Sequence, residues 1–281
     1  MFELYAACET ILQGEPDIDL DDIVADWRRP SFDLDADAVI VERSGRIVAE
    51  AEVFRGRRAE VAVHPQVRGL GIGTALLGWT ERRAREIGAS TVGQTTADAD
   101  ASATDLFRAN GYEPMWTSWV LSYRIDAPPA APRLPDGYGF RPFELGRDDR
   151  EVYDVIERAF GEWPLSDPYP YEDWRAVIVE AESFDPSLQL VIESHGRIVG
   201  TASTTDPEGA TEGWVHQLAV AREHRGRGLG RALLQQAFDN FHVRGRRSVG
   251  LSTDSRTGAL GLYEHVGMHV VRSYTHHAKQ V

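Results

Sequence analysis

The hydrophobic and polar positions along the chain predict short strands that alternate with amphipathic helices. Apolar side chains recur at helical spacing in residues 230–243, which predicts a helix with one buried face. Runs rich in β-branched and aromatic residues predict strands. In the second half of the chain, the predicted strands cover residues 139–143, 188–193, 197–204, 214–220, 248–253 and 270–276, and further predicted helices cover 150–160, 174–182 and 259–265. Strands interleaved with helices indicate an α/β or α+β fold rather than a helical bundle or a β-sandwich.

The same sequence plan occurs twice along the chain. Three segments of the first half have counterparts in the second half at nearly constant spacing: 44–49 and 195–200, 68–73 and 225–230, 106–111 and 262–267. Such a repeat predicts a tandem duplication. We therefore expect an N-terminal domain over residues 1–126, a proline-rich linker over 127–137 and a C-terminal domain over 138–281. The first copy has no counterpart of the strand predicted at 139–143, so its sheet lacks one strand or another segment fills that edge.

The composition is typical of a folded protein with two domains. The 281 residues are 42% hydrophobic and 26% charged, which are globular values. The sequence has neither a run of about 18 apolar residues nor a secretory signal at its N-terminus. We therefore expect a cytoplasmic protein that does not associate with membranes.

The charge of the chain favours a cationic partner. A net charge of −14 argues against nucleic-acid binding, which depends on basic residues that neutralise phosphates. Nine carboxylates lie between residues 15 and 37, where they either attract a cationic amine or form a solvated acidic face. The single cysteine, Cys8, excludes an intramolecular disulfide and a cysteine-based zinc cluster. His276 and His277 are expected on opposite faces of a strand, so no metal site is predicted.

Two glycine-rich turns stand between a predicted strand and a predicted helix. Glycines let backbone N–H groups wrap an anion, and the N-terminus of the following helix adds free donors. The turn over 225–230, with arginines at 225, 227 and 231, therefore predicts a pyrophosphate site, and the turn over 68–73 has the same context. A glycine-rich connection without a ligand remains the alternative. Neither turn has the spacing of a Walker loop or of a dinucleotide-binding fingerprint.

These motifs resemble a known family. A strand that ends in valine, the pattern Arg-x-x-Gly-x-Gly over 225–230, an amphipathic helix and Ala-x-x-Leu-Tyr-Glu-x-x-Gly over 259–267 resemble the acetyl-CoA-binding signature of the GNAT acetyltransferases. The segments 184–186 and 262–268 and the tandem arrangement resemble the mycothiol-synthase-like, two-domain members. The resemblance implies two domains, each a mixed, mostly antiparallel sheet flanked by helices, with acetyl-CoA as cofactor.

The resemblance also assigns the residues that bind acetyl-CoA. In the second copy they are Leu218, Ala219 and Val220 for the pantetheine arm, and Arg225, Gly226, Arg227, Gly228, Leu229, Gly230 and Arg231 for the pyrophosphate. The corresponding residues of the first copy are Val61, Val63, Arg68, Gly69, Leu70, Gly71, Ile72, Gly73 and Thr74. Family members often have asparagine shortly before the last helix, where this chain has Ser255, which replaces one hydrogen bond.

Tyr263 is the predicted general acid, because it stands where the resembled family has its acidic tyrosine. The first copy has Phe107 there, which cannot donate a proton, so we expect the second domain to be catalytic and the first to be degraded for catalysis. In the strand over 212–220, alternation places Trp214, His216, Leu218 and Val220 on one side. His216 is therefore the first candidate for the base and Glu212 the second. A packed aromatic at 263 and a satisfied histidine at 216 are the structural alternatives.

The sequence predicts an enzyme that transfers an acetyl group to the primary amine of a small molecule by direct attack. Recognition of this acceptor is expected from Trp163, Tyr169, Tyr171 and Trp214. Two alternatives stay open at this point, a protein or peptide N-acetyltransferase and a non-catalytic protein that binds acyl-CoA. We expect a monomer or a homodimer.

Overall fold

The chain forms two compact units. The computed structural model describes residues 1–14, 16, 18, 20–206 and 212–281, so Glu15, Asp17 and Asp19 of the acidic segment lie outside the described residues. Unit 1 comprises Met1–Thr117 and Ser273–Val281, and unit 2 comprises Ser118–Arg272. These limits differ from the predicted domains over 1–126 and 138–281, because the long strands β5 (Glu113–Arg124) and β11 (His269–Gln280) each have one end in each unit. The predicted division into domains stays a prediction.

Unit 1 is a sheet with helices on its faces. Its helices are α1 (Phe2–Gln13), α2 (Leu20–Trp27), α3 (Leu34–Asp37), α4 (Ile72–Glu86) and α5 (Ala101–Ala109), and its other strands are β1 (Ala38–Arg43), β2 (Arg46–Phe54), β3 (Arg58–Val63) and β4 (Thr91–Ala97). The strand order is β1-β2-β3-β4-β11, and β3–β4 is the parallel pair among antiparallel ones. Within the described residues, β1 forms the outer edge of this sheet.

Unit 2 repeats this plan and has one more strand beyond its counterpart of β1. Its helices are α6 (Asp149–Phe160), α7 (Tyr171–Trp174), α8 (Leu229–Val243) and α9 (Leu260–His265), and its other strands are β6 (Gly139–Arg141), β7 (Gln189–Ser194), β8 (Arg197–Thr205), β9 (Glu212–Val220) and β10 (Ser248–Asp254). The order is β5-β10-β9-β8-β7-β6, with β9–β10 as the parallel pair. The predicted fold class, a mixed and mostly antiparallel sheet flanked by helices in each domain, is confirmed.

The sheet of unit 2 is covered on both faces. The apolar stripe of α8 is buried against one face, where Leu233, Phe238 and Phe241 pack on the strands. Helices α6 and α7 cover the other face, where Trp174 packs with their apolar side chains. Neighbouring residues of β7 alternate between the two cores, since Ile192 belongs to the first and Val191 to the second.

One predicted helix differs from the observed structure. In place of a helix over 174–182, α7 begins at Tyr171, directly after Pro170, and continues as a π-helical turn over Arg175–Val179. Proline at the N-cap accounts for the earlier start, because it cannot supply a helical hydrogen bond and its φ is fixed. Within the part of the chain that the structure describes, no helix combines the length and the apolar character needed to cross a membrane.

Gly213 leaves room for the Phe241 ring, and we expect Gly213→Ala to lower the stability of the protein. A β-carbon at Gly213 would lie 2.3 Å from ring carbons of Phe241, which is fully buried in α8. Such overpacking typically costs about 1–3 kcal/mol. Urea unfolding followed by circular dichroism measures this loss. Gly139→Ala in β6 is the matched control, because a β-carbon there meets no atom within 4 Å. Equal stability of the two variants would contradict the expected clash.

Candidate active site

The glycine-rich turn of unit 2 joins β9 to α8 and exposes backbone donors. Gly226 and Gly228 have φ values of +73° and +82°, which L-residues rarely adopt, and no atom lies within 4 Å of a β-carbon at either position. Gly228 is also the N-cap of the 15-residue helix α8. The first N–H groups of a helix have no partner within it, so this turn presents several donors and the positive end of the helix dipole to one place. Such an arrangement can hold a phosphate or pyrophosphate.

Three arginines surround this turn, and they differ in their roles. Arg225 donates from Nε to the carbonyl oxygen of Val220 at 2.9 Å and forms an ion pair with Glu162 at 2.8 Å. It therefore ties the turn to the end of β9. Arg227 and Arg231 are exposed, so their guanidinium groups add positive charge where an anionic ligand would approach.

The two parallel strands of unit 2 part beside the turn. β10 pairs with β9 only from Ser248↔Glu212 to Leu251↔Val215, while on its other side β9 stays paired with β8 as far as Val220. Gln217–Val220 therefore have backbone groups that β10 does not engage. An open strand edge of this kind can accept an extended amide-bearing ligand through main-chain hydrogen bonds. The predicted residues Leu218, Ala219 and Val220 all lie on this open stretch.

A β-bulge at His216 overturns one prediction about β9. The pairing with β8 shifts between Ser203 and Thr204, which leaves His216 as an extra residue. Gly213 faces Phe241 of α8, so Trp214 points away from α8, whereas Leu218 and Val220 lie near Gly230 on the α8 side. The expected common face for Trp214, His216, Leu218 and Val220 is therefore wrong, because the bulge reverses the alternation.

His216 shares the face of Trp214. Its Nε2 lies 2.9 Å from Oγ1 of Thr205, the residue paired with Trp214. His216 is exposed as a residue, and the protein atoms packed around its ring lower the pKa of the imidazole below its ordinary value. The ring is therefore neutral at neutral pH, so that it can accept a proton, although it is a weak base.

Glu212 and Trp214 lie next to each other above β10. A β-carbon at Gly250 would lie 2.4 Å from the Trp214 ring and 3.1 Å from the carboxyl carbon of Glu212. Oε1 of Glu212 accepts a hydrogen bond of 2.8 Å from the hydroxyl of Ser122. The structure thus brings the two predicted base candidates and Trp214 to one face of the sheet.

Tyr263 lies on the other side of the opened strands, in α9. It is 7% exposed within the core beneath α8, and burial raises the pKa of its hydroxyl to about 12, against a smaller lowering effect of Thr253. The phenol therefore keeps its proton at neutral pH. In unit 1, Phe107 is equally buried and packs with Tyr112 and His277, so that position has no hydroxyl.

Three of the remaining predicted residues, Trp163, Tyr169 and Tyr171, are aromatic and lie at the α6–α7 side. Trp163 stacks on Phe160 with ring centres 4.2 Å apart, and Tyr171 meets the ring of Tyr153 at 5.2 Å. The hydroxyl of Tyr153 donates to the carbonyl oxygen of Tyr169 at 2.6 Å. Ser255 is exposed after β10.

Trp174 is a residue that the sequence analysis did not identify. It is 1% exposed, and its Nε1 donates to Oε1 of Gln217 at 2.9 Å. It therefore anchors β9 directly after the bulge. Its position three residues after Tyr171, on the same helical face, is the signal that the sequence contains.

The glycine-rich turn of unit 1 has the same backbone but fewer charges. Gly69 and Gly71 have φ values of +77° and +82°, and Gly71 is the N-cap of α4. Leu70 and Thr74 stand where unit 2 has Arg227 and Arg231. The remaining cation, Arg68, is bound to the carbonyl oxygen of Val63 and to Asp100.

The strand before this turn also differs from β9. β3 pairs with β4 at Arg58↔Gly93, and its register with β2 shows no bulge. Val61, Val63 and Ile72 pack in the core beneath α4.

The face of unit 1 that points away from α4 is acidic. Glu50 and Glu52 of β2 are only 1% and 3% exposed, and Glu60 of β3 lies directly opposite Glu52. Burial and the neighbouring carboxylates raise the pKa of Glu50 well above its ordinary value. The pKa of Glu52 is raised from 4.5 to about 7, mainly by burial, although the hydrogen bond from Trp27 lowers it. We call Glu50, Glu52, Glu60 and the nearby Asp26 the acidic face.

The chain is similar to acetyltransferases over both units. The sequence model of the Acetyltransferase (GNAT) family matches residues 150–268, and that of the Acetyltransferase (GNAT) domain matches residues 35–114. Each matched segment contains one of the two glycine-rich turns. A mycothiol acetyltransferase from Thermobispora bispora is 33% identical over 215 residues, which cover 74% of this chain and 71% of that protein.

Solved structures agree with this similarity. A GCN5-related N-acetyltransferase from Sphaerobacter thermophilus matches with a TM-score of 0.79 and 36% identity, over 99% of this chain and 91% of that one. A tandem GNAT protein from the clavulanic acid biosynthesis pathway matches with a TM-score of 0.75 over 99% of this chain and 93% of that one. At 18% identity, the second likeness shows a shared fold alone.

We expect the stability of the protein to fall as pH rises through the titration of the acidic face. The pKa of Glu52 is higher in the folded than in the unfolded chain, so the folded state binds more protons between about pH 4.5 and pH 7. Since one pKa unit is worth about 1.4 kcal/mol, Glu52 alone accounts for a fall of up to about 3 kcal/mol in the free energy of unfolding.

Urea unfolding at a series of pH values measures this fall. Glu52→Gln removes the titrating group and should flatten the profile, whereas Glu42→Gln makes the same change at an exposed position of β1 and should leave it unchanged. A profile that is equally steep in both variants would contradict the assignment to Glu52.

Proposed function

The chain belongs to the GNAT family of acetyltransferases, as its motifs predicted, and from this premise we propose that unit 2 transfers the acetyl group of acetyl-CoA to a primary amine of a small molecule. The observation that carries the proposal is the combination of an opened strand edge, a charged glycine-rich turn and a buried phenol in unit 2. In unit 1, the turn lacks two of the arginines and the phenol is replaced by Phe107.

The residues of unit 2 fit the parts of acetyl-CoA, which supplies an acetyl group activated as a thioester. The N–H groups after Gly226 and Gly228, with Arg227 and Arg231, would hold the pyrophosphate. The open backbone of residues 218–220 would accept the amides of the pantetheine arm. Both glycines leave the space that close approach of a phosphate requires.

Tyr263 is the proposed general acid. Its hydroxyl is protonated at neutral pH, so it can donate to the sulfur that leaves the acetyl group. Free thiols have a pKa of about 8.5, well below that of this phenol. The same burial disfavours a sulfur anion beside Tyr263, which brings the proton affinities of the two groups closer together.

His216 is the proposed acceptor for the proton of the incoming amine, directly or through water. The imidazole is unprotonated at neutral pH, and its Nε2 is oriented by Thr205. Glu212 lies on the same face and is the second candidate for this role.

A small amine is the proposed acceptor. The aromatic side chains Trp163, Tyr169, Tyr171 and Trp214 would supply apolar walls, which suit a small molecule with few charges. The relative from Thermobispora bispora is named a mycothiol acetyltransferase, and we assign to this chain an acceptor of comparable kind, a small molecule rather than a protein N-terminus.

We expect Tyr263→Phe to lower kcat by about 10²-fold or more, the usual contribution of a positioned acid or base. The Kd for acetyl-CoA should stay within about twofold, because the hydroxyl serves the chemical step rather than binding. Release of the CoA thiol over a panel of small amines and peptides measures turnover, and calorimetry measures binding.

Tyr112→Phe is the control for this substitution, because it removes the hydroxyl of a buried tyrosine in unit 1. An unchanged kcat in Tyr263→Phe would remove Tyr263 from the mechanism. Binding of acetyl-CoA without transfer to any amine by the unmodified protein would instead contradict the enzymatic proposal.

We expect the double variant Arg227→Ser/Arg231→Ser to bind acetyl-CoA at least about tenfold more weakly, because each arginine adds a charge-assisted contact to phosphate. The difference should shrink at high ionic strength, where exposed charges are screened. Calorimetry at two salt concentrations measures both effects. Arg43→Ser/Arg46→Ser, at exposed positions of β1 and β2, removes the same number of charges and controls for net charge. Equal Kd values in all three proteins would exclude this turn as the pyrophosphate site.

A further inference from the structure

The acidic face of unit 1 has a different chemistry from the same place in unit 2. The repeat aligns Glu50, Glu52 and Glu60 with Thr201, Ser203 and Gln217, and both sets have equivalent registers in their sheets. Three neutral polar residues in one unit thus correspond to three carboxyl groups in the other. Buried carboxyl groups destabilise a fold unless they find partners.

The partners that α1 and α2 provide satisfy only half of each buried carboxyl group. The hydroxyl of Tyr5 donates to Oε1 of Glu50 at 2.8 Å, and Nε1 of Trp27 donates to Oε1 of Glu52 at 2.5 Å. Oε2 of Glu50 is buried without a hydrogen-bond partner among the described residues. Neither glutamate forms an ion pair with a described basic residue. The charged groups that raise the pKa of Glu50 are the neighbouring carboxylates of Glu52 and Glu60.

The two buried glutamates are bordered by side chains that are less deeply buried. Tyr5, Trp27, Asp26 and Glu60 are half-buried and border the two buried glutamates. The basic groups close by are engaged at the rim, Arg58 with Glu60 and Arg29 with Asp26. The acidic face therefore keeps an excess of carboxyl groups over cations.

The free oxygens suit an ammonium group. A guanidinium prefers both oxygens of one carboxylate, but Tyr5 and Trp27 each occupy one oxygen of their glutamate. An ammonium has three donors that can each reach a single oxygen of a different carboxylate. Among the residues described, no three His, Cys, Asp or Glu side chains are arranged to hold a metal ion.

We propose that unit 1 binds the primary ammonium group of a small organic molecule at the acidic face, with Oε2 of Glu50 and the carboxylate of Glu52 as its acceptors. This binding site shares no residue with the catalytic site proposed for unit 2. Because Phe107 stands in place of the acid, the bound amine is held in unit 1 and not acetylated there.

Fluorine NMR of the full chain, labelled with 5-fluorotryptophan, tests this proposal at the site itself. Trp27→Phe identifies the Trp27 resonance, which reports on the hydrogen bond to Glu52. Titration with butylamine at neutral pH should shift this resonance saturably. Tetramethylammonium has the same charge but no N–H donor and should leave it unmoved. The Trp214 resonance reports separately on unit 2, so a failure of the acetyltransferase proposal is distinguishable from a failure here.

Glu50→Gln should weaken binding of butylamine at least about tenfold, because an amide cannot release a proton to form the carboxylate that pairs with the ammonium. It is nearly isosteric with the protonated acid, and Glu52→Gln is the second variant should the first not fold. Glu42→Gln, the exposed control on β1, should bind as the unmodified protein does. An unmoved Trp27 resonance, an equal response to tetramethylammonium, or unchanged affinity in the glutamine variants at positions 50 and 52 would overturn the proposal.

Discussion

The early end of the β9–β10 ladder is the constraint on which the candidate site depends. Interior strands normally satisfy their backbone groups on both sides, but β9 loses its β10 partner after Val215 and keeps only β8. The opened edge begins beside the bulge at His216 and ends at the glycine-rich turn. It separates the face with His216 from the core that holds Tyr263. The proposed proton acceptor and the proposed proton donor thus lie on opposite sides of one gap.

The two units show how similar backbones can support different chemistry. Both turns hold two glycines with nearly identical positive φ, and both lead into 15-residue helices. The differences lie in side chains, because unit 2 has exposed arginines at its turn where unit 1 has Leu70 and Thr74. On the neighbouring sheet face the charge difference runs the other way, with carboxyl groups in unit 1. The charged side chains beside the turn and on this sheet face therefore differ between the two units.

Local sequence patterns predicted the helices, strands and turns, but they did not predict which distant strands pair. The helix over 229–243 and its turn follow from apolar periodicity and from glycines that positive φ requires. The bulge at His216 could not be predicted, because one extra residue is invisible in a strand whose neighbour is unknown. The alternation of alanine with Glu50 and Glu52 is typical of a strand whose polar face is exposed to solvent. In the structure, α1 and α2 cover this polar face. The exchange of the ends of β5 and β11 depends on partners far apart in sequence.

That exchange has a consequence for how the duplicated gene can evolve. The sheet of unit 1 is completed by Tyr274–Gln280 from the C-terminal end of the chain, and that of unit 2 by Ser118–Arg124 from before the linker. Neither half of the reading frame encodes a complete sheet. Deletion of either half of the chain would leave the remaining sheet with an unpaired edge and one strand without its partners. Neither unit can therefore be removed by simple truncation of the chain without loss of a strand from the other.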